Sequence, residues 1–230
     1  MRQLLLIALS TTALTAVACA EDAETETTEA PAAAEMSETA TTQAAVDEAE
    51  TSMADAVDFS GISAGAYEIE PTHAYVTFSY SHLGFSKPIL RFNSVSATVD
   101  LDTENPASST LNVEIDPASI DSGVEKFDSH LTSGDMFDVA NYPEISFVST
   151  DIDLDAMTLT GDLTIKDVTR PVTLDVVLNG AGEHPMSGTD TFGISATATI
   201  DRTEWGIGYA APAVSEDVDL RIEAEFVKVE

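Results

Sequence analysis

The residues able to do chemistry are few and scattered. Four histidines, His73, His82, His130 and His184, stand far apart, without the close spacing of most metal sites. A metal or proton-relay role would need the fold to gather them, and hydrogen bonding in a loop or core is the plainer use of a lone histidine. Four carboxylates, Asp121, Asp128, Asp135 and Asp138, crowd one short segment. Neighbouring carboxylates can divide acid and base roles between them, yet such residues equally cap helices and face water. Calcium would use the same oxygens, but the D-x-D-x-D-G spacing of a calcium loop is absent. There is no glycine-rich phosphate loop, no G-x-S-x-G elbow and no H-E-x-x-H helix. Cys19 is the single cysteine, which rules out an intramolecular disulfide, a two-cysteine redox pair and a cysteine-built zinc site. These residues nominate no catalytic group, metal site or cofactor, and they do not argue for an enzyme.

The chemistry that remains is burial. The chain of 230 residues is 43% hydrophobic and carries 41 acidic against nine basic side chains, a formal net charge of −32. Such a field repels polyanions, so nucleic acid is a poor partner, and an anionic membrane exerts no electrostatic pull. The acid is dense ahead of the foldable part: residues 20–60 hold twelve carboxylates and no Lys or Arg, with Ala and Thr supplying most of the rest. That stretch has too little large apolar surface to offset the entropy of ordering it. Residues 19–64 therefore read as a disordered acidic linker, with a reach of about 35 Å or more. Before it, Met1-Arg2-Gln3 and the apolar run 4–9 suit a secretory signal, residues 1–18, and are too short for a membrane span. Ala16-Val17-Ala18-Cys19 resembles the lipobox of bacterial lipoproteins, although Ala16 stands where Leu is commonest. Lipidation of Cys19 would tether the exported protein to a membrane; cleavage after Ala18-Cys19-Ala20 would release it into the periplasm.

Residues 65–230 must position whatever is bound, and they read as strands. Apolar and polar residues alternate with a period of two over 74–80, 92–101, 111–115, 145–149, 157–165, 172–178, 192–200 and 218–226. Turn signals at Asn105-Pro106, Asn179-Gly180 and 183–188 separate some of these runs. The interval 124–137 is too long for a hairpin and fits a short helix over 125–131, capped at Ser122. The fold class is thus all-β: an eight-stranded antiparallel barrel with one short helical insert, or a two-sheet sandwich burying the same faces. Ala97, Ser149, Gly161, Ala196, Ala198 and Ala224 are small residues on the inward face. Beside apolar walls from Phe78, Tyr80, Phe147, Phe192 and Phe226, they leave room for one small ligand, unless they merely fit the taper of a packed barrel.

Ordered blocks along this part resemble the YceI-like family. They are His73, Ser81-His82-Leu83-Gly84-Phe85, Ser119-Ile120-Asp121-Ser122-Gly123, Asp128-Ser129-His130-Leu131 and Asp135-Met136-Phe137-Asp138. Tyr142-Pro143-Glu144-Ile145-Ser146-Phe147 follows, then Gly161-Asp162-Leu163-Thr164-Ile165-Lys166 with Val168-Thr169-Arg170-Pro171-Val172. Asp201-Arg202-Thr203-Glu204-Trp205-Gly206 and Asp217-Val218-Asp219-Leu220 complete the order. The chain departs at Leu90-Arg91-Phe92, where the family often has Gly before the basic residue, and at Lys126, where Arg is common. The resemblance implies a lipocalin-like barrel in the bacterial periplasm that holds a polyisoprenoid or another long amphiphile in an elongated apolar tunnel. Phe78, Tyr80, Phe147, Phe192 and Phe226 would line that tunnel; Phe85, Phe127, Leu131, Phe137 and Trp205 would guard its mouth or its covering helix. His130, Asp128, Pro143, Gly161 and Arg202 could instead fix turns, a helix cap and a buried ion pair. A packed barrel acting as a partner-binding or stress-protective module is the competing expectation.

Overall fold

The protein is described as a computed structural model over residues 59–230. The expected signal segment, Cys19 and all of the linker before Phe59 lie outside the described residues. Ten strand segments make one antiparallel sheet: β1 (Gly65–His82), β2 (Ile89–Phe92), β3 (Val95–Leu101), β4 (Thr110–Ile115), β5 (Ile120–Asp121), β6 (Ile145–Asp153), β7 (Thr158–Ile165), β8 (Val168–Glu183), β9 (Asp190–Asp201) and β10 (Val214–Lys228). Segments β2 and β3 are one stave broken at Asn93-Ser94, since β1 pairs with β3 near its start and with β2 near its end. Segments β4 and β5 match them across the same break, joined by a 3-10 turn at Pro117–Ser119. Eight staves result, and β10 pairs with β1 to close the ring. Closure gives every stave a paired neighbour on both sides and removes the sandwich alternative.

Strand pairing overrides one local signal. Asn179-Gly180, expected as a turn, lies inside β8, where a bulge shifts the register between Leu178 and Gly180 against β9. The Asn179 amide is engaged across the ladder, Nδ2 donating to Ser195 Oγ at 2.9 Å, so partner contacts outweigh intrinsic turn preference. The helix α1 spans Glu125–Leu131 as expected, but its N-cap is Val124, not Ser122. Ser122 instead gives its backbone N–H (2.8 Å) and its hydroxyl (2.5 Å) to Asp128 Oδ1, so a carboxylate inside the helix reaches back to the preceding loop.

The small inward residues sit at the waist of the barrel. Ala97, Ala196 and Ala224 are buried there, and the space beside Gly161 is filled by the Phe147 ring, which would lie 2.3 Å from an added Cβ. One end is packed by aromatic contacts: Phe192 stacks on Phe226 (centroids 5.0 Å apart) and meets Tyr67 (5.3 Å) and Phe59 (5.9 Å) edge-on. Phe59 and Ile62 belong to this core, so packing begins ahead of Gly65.

Candidate functional site

At the opposite end the staves stop short and two segments close over them. One is α1 with the loop that follows it. The other is the stretch between β9 and β10, which begins with the 3-10 turn Arg202–Trp205. Gly206, at φ 72°, ends that turn in the left-handed conformation that a residue without Cβ adopts freely. Hydrogen bonds fix both covers. Trp205 Nε1 donates to Leu163 O (3.2 Å), Lys166 Nζ to Met136 O (3.1 Å), and Arg170 Nε to Glu204 O (3.0 Å). The two covers touch where the His130 and Tyr209 rings meet at 4.7 Å.

Beneath them lies a cavity of about 560 Å³. Its wall is apolar, with Phe78, Leu90, Phe92, Ile145, Leu163, Ile165 and Leu220 from the staves and Phe127, Leu131, Met136 and Phe137 from the cover. Exposed His82, Val124, Tyr209 and Ala210 also line it, which places its opening at this end. The interior therefore lies between large apolar stave residues and the covering segments, and none of the small stave residues lines it. A second cavity of about 110 Å³ at the far end is bounded by Phe59, Leu101, Leu111, Leu159, Phe192 and neighbours, and no residue lines both. Where one continuous tunnel was expected, the waist containing Phe147 and Gly161 separates two chambers.

The expected site residues divide accordingly. Phe78, Tyr80, Phe127, Leu131 and Phe137 come together around the larger cavity. Phe192 lines the smaller one. Phe147, Phe226 and Trp205 are buried in packed layers and line neither. Phe85, 89% exposed, sits on the outside of the β1–β2 loop.

Polar groups gather near the opening. Arg202 is buried, and instead of the expected carboxylate it takes backbone carbonyls: Nε donates to Ser215 O and Nη2 to Val214 O, both at 2.9 Å, and Nη1 to Ile207 O. Among the described residues it makes no ion pair; Asp201 beside it turns onto Thr203, accepting from its N–H (2.8 Å) and hydroxyl (2.6 Å). Burial pushes the Tyr80 phenol up, and the Arg202 charge opposes that shift. His82 and His130 share the cavity, and His130 Nε2 is buried without a hydrogen-bond partner. That they share one cavity was invisible in the sequence, because His130 lies 48 positions after His82. Ile207, Tyr209 and Ala210 were also missed, since the segment carrying them has no periodicity. His73 is outside, 2.6 Å from Glu70, and His184 Nδ1 accepts from turn N–H groups. Asp121 accepts from Gly123 N (2.8 Å) and Asp138 from Asn141 Nδ2 (3.0 Å), so these carboxylates brace loops. Among the described residues no group of three or more His, Cys, Asp or Glu is placed to hold a metal ion.

Residues 67–226 match the YceI-like domain family. Protein YceI of Escherichia coli O157:H7 is 38% identical over 161 residues, which cover 69% of this chain and 84% of that protein. The crystal structure of the YCEI protein of Campylobacter jejuni superposes with a TM-score of 0.58 at 27% identity, over 65% of this chain and 90% of that one. A polyisoprenoid binding domain from Saccharophagus degradans has the same fold, with a TM-score of 0.54 at 15% identity over 71% and 98% of the respective chains. With the closed barrel, its cover and the ordered sequence blocks, these likenesses establish that the chain belongs to the YceI-like family.

Proposed function

We propose that this protein is a non-catalytic carrier or store of a polyisoprenoid or similar long-chain amphiphile, exported to the bacterial periplasm and tethered there through lipidated Cys19. The observation that carries the reading is the cavity of about 560 Å³, walled by apolar side chains with polar groups confined near its opening. An apolar chain entering it leaves water at a gain of roughly 25 cal/mol per Å² buried, or about 0.8 kcal/mol per methylene. Arg202, Tyr80 and the histidines then fix the head group. The shared fold with a polyisoprenoid binding domain supports the ligand class. An open cavity also favours a carrier over a packed module that acts only on protein partners.

Mass spectrometry of the protein isolated from its own membranes tests this reading, both native and after solvent extraction. One prenyl lipid per protein is the expected result, with a diacylglyceryl mass on Cys19. A lipid-free barrel from native membranes would refute the carrier reading, and an N-terminus at Glu21 would refute the tether.

A further inference from the structure

Resting on the reading of the cavity as a lipid site, we propose that one edge of its mouth docks on a lipid bilayer: the β1–β2 loop (83–88), the adjoining start of β2 and the loop 206–213. Phe85 is 89% exposed, and Leu83, Ile89 and Tyr209 are each more than half exposed, although all four are large and apolar or aromatic. The two loops form one edge, because Leu83 N–H donates to Ala213 O at 3.2 Å. Phe85 is held outward by ordered backbone. Its N–H donates to His82 O and the His82 N–H donates to Ser86 O, each at 2.9 Å, so the turn cannot fold the ring inward without breaking its own bonds. A soluble surface gains nothing from such residues, whereas an interfacial one does.

Charge selects the bilayer as the occupant and sets the orientation. Residues 82–92 and 205–215 contain no Asp or Glu, in a chain with 41. The turns at the far end of the barrel carry Asp102, Glu104, Asp153, Asp155, Glu183 and Asp190. That far end is repelled by lipid phosphates, whereas the acid-free edge, whose one charged loop residue is the basic Lys87, can enter the head-group layer. The segment 132–144 at the near end bears Asp135, Asp138 and Glu144, so the docking surface is the pair of loops and not the whole end. The attraction is apolar and needs no anionic lipid. Tyr209 belongs both to this edge and to the cavity lining, so docking brings the opening to the lipid it takes up.

The test uses the full chain carrying Cys19→Ser, which removes any acyl anchor, and vesicles of pure phosphatidylcholine. Trp205 is the single tryptophan and is buried, so an added one reports its own surroundings. In Phe85→Trp, vesicles should shift the emission to the blue, and brominated phosphatidylcholine should quench it. Met186, equally exposed at 89% on the β8–β9 turn at the far end, provides the control, and Met186→Trp should stay silent. Leu83→Asn combined with Ile89→Thr should lower the vesicle-bound fraction at least tenfold while leaving uptake of a prenyl alcohol from detergent solution unchanged. A silent Phe85→Trp, a responding Met186→Trp, or a Phe85→Trp shift that occurs without vesicles as the protein dimerises would overturn the docking assignment. Loss of prenyl alcohol uptake by the parent protein would overturn the carrier reading separately.

Discussion

The contact between Gly161 and Phe147 offers a quantitative test of how the barrel is divided. A Cβ at Gly161 would lie 2.3 Å from Phe147 Cζ, 2.7 Å from its Cε1 and 2.6 Å from Val148 O, against 3.4–4 Å for ordinary contact. The ring would have to move by more than an ångström. Phe147 is buried, and Val148 O belongs to a β6 stave whose ladder with β7 fixes Ser149 opposite Gly161. Overpacking of this kind costs about 1–3 kcal/mol, and the backbone clash puts Gly161→Ala at about 3 kcal/mol. Phe147→Ala alone should cost about 3–5 kcal/mol by leaving a void. Combined, the two changes share space, since truncating the ring relieves two of the three clashes. The double variant should thus be less destabilised than the sum of the singles by about 1–2 kcal/mol. Urea unfolding followed by the fluorescence of buried Trp205 measures all four corners of the cycle. Additive effects, or a Gly161→Ala variant within about 0.5 kcal/mol of the parent, would refute the claim that a packed waist separates the chambers.

Phe127→Asp should abolish retention of a prenyl lipid in a folded protein, whereas Met157→Asp in the smaller chamber should leave it intact; extraction and mass spectrometry decide, and equal loss in both would sink the assignment of the larger cavity. Asp102, Asp190 and Asp201 are held below their ordinary carboxyl value of 3.8, mainly by the Asn105 N–H, the Ser63 hydroxyl and the Thr203 hydroxyl respectively. Their folded values are depressed, so the stability they contribute is fully present above 3.8 and is lost as pH falls through the lowered values. Urea midpoints measured from pH 7 to 2 should show this acid limb, and it should flatten when all three are changed to Asn; an unchanged limb would contradict the assignment. Arg202→Lys should cost roughly 2–4 kcal/mol, because one ammonium cannot replace a guanidinium that serves three carbonyls. Hydrogen exchange should then accelerate across residues 206–215, and unaltered protection there would show that Arg202 does not hold the cover.

Period-two alternation made the eight staves legible, because a half-buried strand writes its burial directly into successive residues such as Val76, Phe78 and Tyr80. What alternation cannot encode is the partner. Nothing local tells that Asn179-Gly180 is held in β8 by Ser195, or that β1 reaches back to Gly65 by pairing with β3 and β10. The site was half legible for the same reason. Phe78 and Tyr80 follow from stave phase, and Phe127, Leu131 and Phe137 from the covering insert. Phe147 and Phe226 share that phase yet sit in the packed interior, because distance along the barrel axis is invisible to a rule about faces. The 206–213 loop carries no periodic signal, and its place over the cavity depends on Arg202 bonds that form only in three dimensions.

The seam between β1 and β10 runs from Tyr67 opposite Lys228 to His82 opposite Val214, joining the first stave to the last. No nascent chain that lacks β10 can close this barrel. Until Val214–Lys228 leaves the ribosome, β1 keeps one unpaired edge along nearly its whole length, and the cavity lacks the wall that Val214, Val218 and Leu220 supply. Native closure therefore waits for β10 and depends on contacts as far apart in sequence as Tyr67 and Lys228, which are correspondingly slow to form. A protein built this way acquires its larger apolar chamber only once β10 has been made.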